Sequence, residues 1–247
     1  MYSAPVGVLT VLIADDFEAD LGWTTQPGSA TTGQWERGVP VNDPGWAYDP
    51  ASDADGSGQC YLTQNQVGNT DVDNGDVFLL SPVIDMSAGN ITIEYDYFLR
   101  MTDASTDWLR VAISSNGTAG PWTNLVEHNT DGGLSWRHHT ITQADLDAAG
   151  ITLGANMALR FRAIDSDPQS IVEAGVDGFR VSTFTCDSGG PCLGDLDGDN
   201  DVDLTDLALL LSDFDCTGVC AGDVDGDGDT DLTDLAVLLS VFEQPCQ

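Results

Sequence analysis

Apolar and polar residues alternate along most of the chain before residue 186. The run ITIEYDYF at 91–98 and the run LRFRA at 159–163 are the clearest examples. A period of two is typical of a β-strand with one buried face and one face in water. Turn-forming Gly, Asn and Asp separate other short runs of this kind. The pattern predicts seven strands: Cys60–Thr63, Val77–Leu80, Ile91–Arg100, Asp107–Ser114, Trp136–Ile141, Met157–Ile164 and Gly178–Thr185.

Strands of this number and length favour a mainly β protein, with a two-sheet β-sandwich over residues 15–186. An apolar, β-branched segment precedes it at residues 1–14. This segment is either the first or edge strand of the sandwich, or a strand that pairs with another subunit or an upstream domain. The sequence leaves both interpretations open.

The pattern changes completely after a short linker at 187–191. Residues 194–214 and 222–242 match at 16 of 21 positions when offset by 28. Each copy is an acidic loop followed by an amphipathic helix, Leu204–Phe214 or Leu232–Phe242. One predicted stripe is Leu207, Leu211 and Phe214, and the other is Leu235, Leu239 and Phe242. Helices of about three turns are unstable alone in water, so we expect the two stripes to pack together.

The acidic residues of each loop follow a fixed spacing, at positions 1, 3, 5, 7, 9 and 12 of a twelve-residue segment. This is the ligand spacing of an EF-hand calcium loop, in which position 7 contributes its backbone carbonyl. Position 6 must turn sharply with a positive φ, which Gly228 and Asn200 tolerate. The predicted calcium ligands are Asp195, Asp197, Asp199, Asp201, Asp203 and Asp206, then Asp223, Asp225, Asp227, Asp229, Asp231 and Asp234.

Composition narrows the class of protein further. The 247 residues include 41 acidic and 7 basic ones, a net charge of −34. Such a charge argues against nucleic acid or an anionic membrane as partner, and fits a cation binder or a secreted protein. Six cysteines without a CxxC pattern suggest disulfides and an oxidising compartment. No segment reads as a membrane span, and the first residues lack the basic region of a signal peptide, so we expect a secreted protein whose signal lies upstream or was removed.

The repeat resembles a type I dockerin, on the evidence of its single helix per loop and its Asp at position 12. The resemblance covers about residues 194–242 and implies an α-helical module at 192–247 with two Ca²⁺ and a pseudo-twofold axis. It also implies a cohesin partner that is recognised through loop positions 10 and 11. Those positions are Leu204, Thr205, Leu232 and Thr233 here, where the family often has a Ser-Thr pair.

The pseudo-twofold that the resemblance implies also suggests a disulfide pattern. It brings the entry of one repeat beside the exit of the other, which pairs Cys192 with Cys246 and Cys216 with Cys220. Cys60 and Cys186 are then left to link the sandwich. Sequence alone allows about fifteen pairings of six cysteines.

The sandwich resembles the MAM-like jelly-roll modules of secreted peptidases. The resemblance rests on DDFE at 15–18, GQCYLT at 58–63, DVDNG at 71–75 and GVDGF at 175–179. It implies one structural calcium, bound by Glu18, Asp71, Asp73 and Asp177, with Asp16 as a substitute. The alternative is that these acidic residues only fill turns.

Catalytic motifs are scarce in this sequence. HExxH, GxSxG and phosphate-loop patterns are absent, and a zinc site from His128 with His138 or His139 is a minor alternative because the adjacent pair faces opposite sides of a strand. We therefore expect no enzyme. We expect a calcium-stabilised assembly module that self-associates into an extracellular fibre or matrix, or docks to a cohesin-like protein. The alternative is a carbohydrate-binding or substrate-presenting domain of a larger secreted hydrolase, and Asn90 and Asn116 are glycosylation sequons.

Overall fold

A computed structural model describes residues 7–103, 105–166, 168, 170–186, 192–199 and 201–243. The strands are β1 (Gly7–Asp15), β2 (Thr24–Pro27), β3 (Trp35–Gly38), β4 (Cys60–Thr63), β5 (Gly75–Leu80), β6 (Ile91–Met101), β7 (Trp108–Ser114), β8 (Thr123–His128), β9 (Arg137–Ile141), β10 (Ala158–Asp165) and β11 (Val172–Cys186). The helices are α1 (Gln143–Ala148), α2 (Leu204–Ser212) and α3 (Leu232–Ser240). Residues 9–184 form one compact unit, and the described residues before 9 and after 184 belong to another.

The strands form two sheets that face each other as a β-sandwich. The first sheet has the order β3-β4-β11-β6-β9, with β1 also paired to β11. The second sheet has the order β2-β5-β10-β7-β8. Neighbours such as β10 and β5, or β11 and β6, run antiparallel. Most neighbours are distant in sequence, which explains why alternation alone indicates strands but not their order.

The core between the sheets is large and rich in aromatic side chains. Trp23 makes edge-on contacts with Phe17 and Phe179, at ring-centroid distances of 5.2 and 4.9 Å. Phe161 meets Tyr95 edge-on at 5.1 Å. Such pairs add about 0.5–1.5 kcal/mol each beyond the burial of their surface. This core sets the rigid frame on which the loops of the sandwich are held.

All seven predicted strands are present, with ends that agree within two residues, except that β11 begins six residues before the predicted start at Gly178. The lead-in segment pairs with β11 of the same chain from Gly7 onward, which confirms the first interpretation for the described part, and residues 1–6 lie outside it. The sequence interpretation missed β2, β3, β8 and α1. These elements are only four to six residues long, too short for a clear period.

The C-terminal unit contains α2 and α3, each nine residues long. Val202, Leu210 and Leu238 are fully buried at its centre. Around them pack Cys192, Leu196, Leu207, Phe214, Val224, Leu235, Val241 and Phe242. The predicted stripe was therefore wrong at one place in each helix, because Leu211 and Leu239 are each 52% exposed and the residue before each of them is buried. The predicted linker at 187–191 lies outside the described residues.

Candidate metal centres

The structure gathers the loop carboxylates of the C-terminal unit into compact groups. In the first loop, oxygens of Asp195, Asp197 and Asp199 lie within 4.8 Å of one another, and so do oxygens of Asp201, Asp203 and Asp206. In the second loop, Asp223, Asp225 and Asp234 form such a group. The sequence between 192 and 247 contains no basic residue that can neutralise them.

The aspartate at position 12 lies at the centre of each loop. Asp206 is fully buried, and its Oδ1 accepts hydrogen bonds from the amides of Leu196 and Asp197 at 2.6 and 3.1 Å. Its Oδ2 accepts one from the amide of Asp203 at 2.8 Å. Although burial raises its pKa, these backbone hydrogen bonds lower it below the usual value, so Asp206 stays ionised.

Asp234 repeats this arrangement at the equivalent position. Its carboxylate accepts hydrogen bonds from the amides of Val224, Asp225 and Asp231 at 2.7, 3.1 and 2.7 Å. Backbone hydrogen bonds again outweigh burial and lower its pKa. The two repeats are thus alike in detail as well as in sequence.

The aspartate at position 9 has a role that the sequence interpretation missed. Asp203 is the N-cap of α2, and its Oδ1 accepts a hydrogen bond from the amide of Thr205 at 2.6 Å. Asp231 caps α3 in the same way through Thr233. Together with the position-12 residue, each cap forms a capping box of the form Asp-x-x-Asp. The signal was present in the spacing of these residues, but the calcium pattern occupied the same positions.

The turn and one carboxylate of the second loop fit the predicted cation site. Gly228 has a φ of +97°, as position 6 requires. Oδ1 of Asp229 is buried and has no hydrogen-bond partner. Burial and the surrounding carboxylates raise the pKa of Asp229. A cation in this loop would reduce the repulsion among these carboxylates. Asn200, the equivalent turn residue of the first loop, lies outside the described residues.

The predicted partner-binding positions are exposed. Leu204 and Leu232 are 71% and 70% accessible, which is unusual for leucine on a helix. Thr205 and Thr233, beside them, are also exposed, with their amides bound to the capping aspartates. Leu211 and Leu239 extend the same exposed set in both repeats.

A further group of carboxylates lies in the sandwich, between the loop before β4 and strand β11. Oxygens of Asp53, Asp55 and Asp177 lie within 4.8 Å of one another. Asp177 is fully buried, and its Oδ2 accepts a hydrogen bond from the amide of Ala54 at 2.7 Å. Burial raises the pKa of Asp177 to about 7. Glu18 reaches the same loop, where its Oε1 accepts a hydrogen bond from the amide of Gln59.

The four residues predicted for this sandwich site do not form one group, so that prediction was wrong in part. Glu18 and Asp177 both accept hydrogen bonds from the loop before β4, whereas Asp71 and Asp73 lie elsewhere. The amide of Val72 donates to the carbonyl of Val172 at 2.9 Å. This places Asp71 and Asp73 beside the start of β11, about 16 Å along the strand from Asp177.

The cysteines follow the predicted pairing only in the C-terminal unit. Cys216 and Cys220 form a disulfide, as predicted. Cys192 is disulfide-bonded, and its predicted partner Cys246 lies outside the described residues. The predicted link between Cys60 and Cys186 was wrong, because Cys60 is a free, fully buried thiol. Burial and the nearby aspartates raise its pKa, so Cys60 packs as a small neutral side chain.

The three histidines have no arrangement that indicates a metal or catalytic site. His128 is buried, stacks on Tyr97 at 3.8 Å and contacts the Tyr95 hydroxyl through Nε2 at 2.9 Å. Burial lowers its pKa to about 3, which keeps it neutral. His138 is exposed beside Asp96, while His139 contacts the ring of His128 on the other side. His138 and His139 therefore lie on opposite faces of β9, as the strand pattern predicted. We assign the histidines no catalytic role.

The two sequons lie at the surface. Asn90 is exposed at a turn with a φ of +49°. Asn116 is exposed too, but its Nδ2 donates a hydrogen bond to the carbonyl of Gly120 at 3.1 Å. None of the helices in the described part of the chain is long and apolar enough to cross a membrane.

No protein-family model and no curated protein matches the sequence. Among solved structures, the chain is similar to the K1 cleaved adhesin domain of Lys-gingipain from Porphyromonas gingivalis W83, at 19% identity over 70% of this chain and 98% of that one, with a TM-score of 0.45. It is also similar to a carbohydrate-binding module of the β-sandwich superfamily, at 12% identity over 69% and 60% of the two chains and a TM-score of 0.44. A xylan-binding domain from CBM 22 matches at 11% identity over 70% and 94%, with a TM-score of 0.42.

Proposed function

We propose that this protein is a secreted, non-catalytic module that calcium stabilises and that works by associating with other proteins. The observation that carries the proposal is the pair of loop–helix repeats, with an equivalent buried aspartate at position 12 and equivalent exposed leucines. The Cys216–Cys220 disulfide supports an oxidising compartment.

Each repeat holds one Ca²⁺ in this proposal. Position 7 contributes its backbone carbonyl, and position 9 stays with its helix cap. The remaining ligands are Asp195, Asp197, Asp199 and Asp206 in the first loop, and Asp223, Asp225, Asp227 and Asp234 in the second. Oxygen-only ligands suit a hard cation, and two ions neutralise part of a unit that has no basic residue. A third Ca²⁺ binds Asp53, Asp55 and Asp177 in the sandwich.

The dockerin-like surface is formed by the exposed leucines of α2 and α3. Leu204 and Leu232 lie at equivalent positions, and so do Leu211 and Leu239, all at least half exposed. An apolar set of this kind beside an acidic loop is typical of a protein-binding surface. The partner is a second copy of this chain or a cohesin-like domain. With Leu in place of the family's usual Ser, we favour self-association into a fibre or matrix.

Sedimentation of the full chain in calcium and in chelator tests this proposal. We expect larger species only in calcium, and a monomer for the double variant Leu204→Asp/Leu232→Asp that still binds both C-terminal ions. Leu134→Asp is the matched control, because Leu134 is also exposed but lies in the sandwich. A chain that is monomeric in calcium and binds no cohesin-like domain would contradict the assembly function.

A glycan-binding role is the second candidate, and the outer face of the second sheet favours it. Arg160 lies over the rings of Phe78 and Trp122, at 4.9 and 4.7 Å from their centroids. None of the ion pairs among the described residues involves Arg160. A guanidinium fixed between aromatic rings suits a carboxylated sugar. Binding on an array of acidic glycans that Arg160→Ala abolishes would support this role, and silence on the array would exclude it.

A further inference from the structure

Glu173 is a buried acidic residue near the start of β11 that neither proposed role uses. It is 1% exposed. Its Oε1 accepts hydrogen bonds from Trp46 Nε1 at 2.9 Å and from the Thr70 hydroxyl at 3.1 Å. Its Oε2 accepts one from the Thr63 hydroxyl at 3.0 Å. Three donors from three segments thus fix the orientation of one carboxyl group.

Two further carboxyl groups approach this residue from different loops. Asp49, between β3 and β4, lies three residues after Trp46, whose indole donates to Glu173, and its carboxyl group interacts with that of Glu173. Asp71, between β4 and β5, is 4% exposed and directly follows Thr70, whose hydroxyl donates to Glu173. Burial, together with the negative charges of Asp43 and Asp71, raises the pKa of Asp49 to about 7. Burial and the charge of Asp49 raise the pKa of Glu173 to about 8.

Two carboxylate oxygens beside Glu173 have no hydrogen-bond partner. Oδ2 of Asp49 and Oδ1 of Asp71 are both buried and have no hydrogen-bond partner. A buried carboxylate oxygen without a partner is costly, so such atoms indicate a missing proton or ion. One proton shared between Asp49 and Glu173 satisfies their mutual contact. It leaves the orphaned oxygens of Asp49 and Asp71 without a partner.

We propose that Asp49, Asp71 and Glu173 bind a divalent cation of the size of Ca²⁺. All the ligand atoms are carboxylate oxygens, the type that Ca²⁺ prefers. The site is separate from the group around Asp177, because Glu173 and Asp177 are four residues apart on one strand, about 13 Å. An ion at this site connects the β3–β4 loop and the β4–β5 loop to β11.

Terbium luminescence tests this site in the full chain, because Tb³⁺ replaces Ca²⁺ and emits when a nearby tryptophan is excited. Trp46, whose indole donates a hydrogen bond to Glu173, is the tryptophan that sensitises Tb³⁺ in the proposed site. The C-terminal repeats contain no Trp or Tyr of their own. The variant Asp55→Asn removes the other sandwich site from the measurement.

In the Asp55→Asn protein we expect tryptophan-sensitised emission that titrates as a single site and that Ca²⁺ displaces. Adding Asp71→Asn should weaken Tb³⁺ binding by about tenfold or more, because even substitutions of residues that only support the metal ligands cause a loss of this size. Adding Trp46→Phe instead should dim the emission while calorimetry still detects the ion. Trp46→Phe keeps every carboxylate, so it serves as the readout if Asp71→Asn fails to fold.

Two results would overturn the proposal. One is an Asp55→Asn protein that folds but gives no tryptophan-sensitised emission, which would mean that Asp49 and Glu173 share only a proton. The other is emission that neither Asp71→Asn nor Trp46→Phe changes. Neither result would bear on the proposed C-terminal calcium sites, because these variants keep all of their ligands.

Discussion

The sandwich and the C-terminal unit solve the same stability problem in different ways. The sandwich buries a continuous core of aromatic and aliphatic side chains between two sheets. The C-terminal unit fully buries only Val202, Leu210 and Leu238. In place of a large core it has carboxylates that bind backbone amides, capped helices and disulfide-bonded cysteines. Small units need such additional links, because they bury too little apolar surface to offset chain entropy.

The largest loss of stability is expected from a substitution in the sandwich core. Phe161 is fully buried and contacts Tyr95 and Trp23. Phe161→Ala should lower the free energy of unfolding of the sandwich by about 3–5 kcal/mol, through lost burial and a cavity. Calorimetry should detect this loss equally in calcium and in chelator. An effect that depends strongly on calcium would contradict a core-based account of the sandwich.

The next effect concerns the pH dependence of the sandwich through His128. Its folded pKa of about 3 lies below the unfolded value of 6.5, so protons bind the unfolded chain first as the pH falls. The free energy of unfolding should therefore decrease by about 1.4 kcal/mol per pH unit between pH 6.5 and the folded pKa. Above pH 6.5 the contribution of His128 is constant.

Comparison with His128→Gln isolates this effect from the other titrating groups. The variant should lose less stability than the wild-type chain between about pH 6.5 and pH 4, in denaturant titrations at fixed calcium. His138→Gln is the control, because His138 is 54% exposed. Equal acid sensitivity of the wild type and His128→Gln would show that His128 is not held neutral in the core.

A smaller effect is expected from the central carboxylate of one repeat. Asp206→Asn removes a charge that three backbone amides bind, and should cost the C-terminal unit about 2 kcal/mol in calcium. It should also remove one ion from the binding stoichiometry. Asp215→Asn makes the same charge change at an exposed position outside the loops. If both variants behave alike, Asp206 does not have the central role that its contacts indicate.

Alternation predicted the strands best where they are long and half-buried. β6 follows its alternating run over eleven residues, since one face lies on the core and the other is less buried. β2 and β8 are four and six residues long and mostly exposed or half-exposed, so apolar pattern could not identify them. The order of strands in the sheets depends on contacts between distant residues, which no local pattern contains.

The candidate sites were predictable to the extent that their spacing is local. The loop aspartates are separated by two or three residues, so the repeat alone predicts that they lie together. The sandwich groups combine residues more than a hundred positions apart, such as Asp53 with Asp177 and Asp49 with Glu173. The Cys60 prediction failed for a different reason, because pairing by elimination assumes that every cysteine is oxidised.

The difference between the two units is tested most directly by amide hydrogen exchange of the full chain with and without calcium. The account predicts that chelation removes protection from α2, α3 and both acidic loops. Strands β6 and β10 should keep their protection in chelator, because they carry none of the proposed ligands and their core needs no ion. Protection of α2 and α3 that is unchanged by chelation would contradict the claim that calcium, rather than a hydrophobic core, holds the C-terminal unit together.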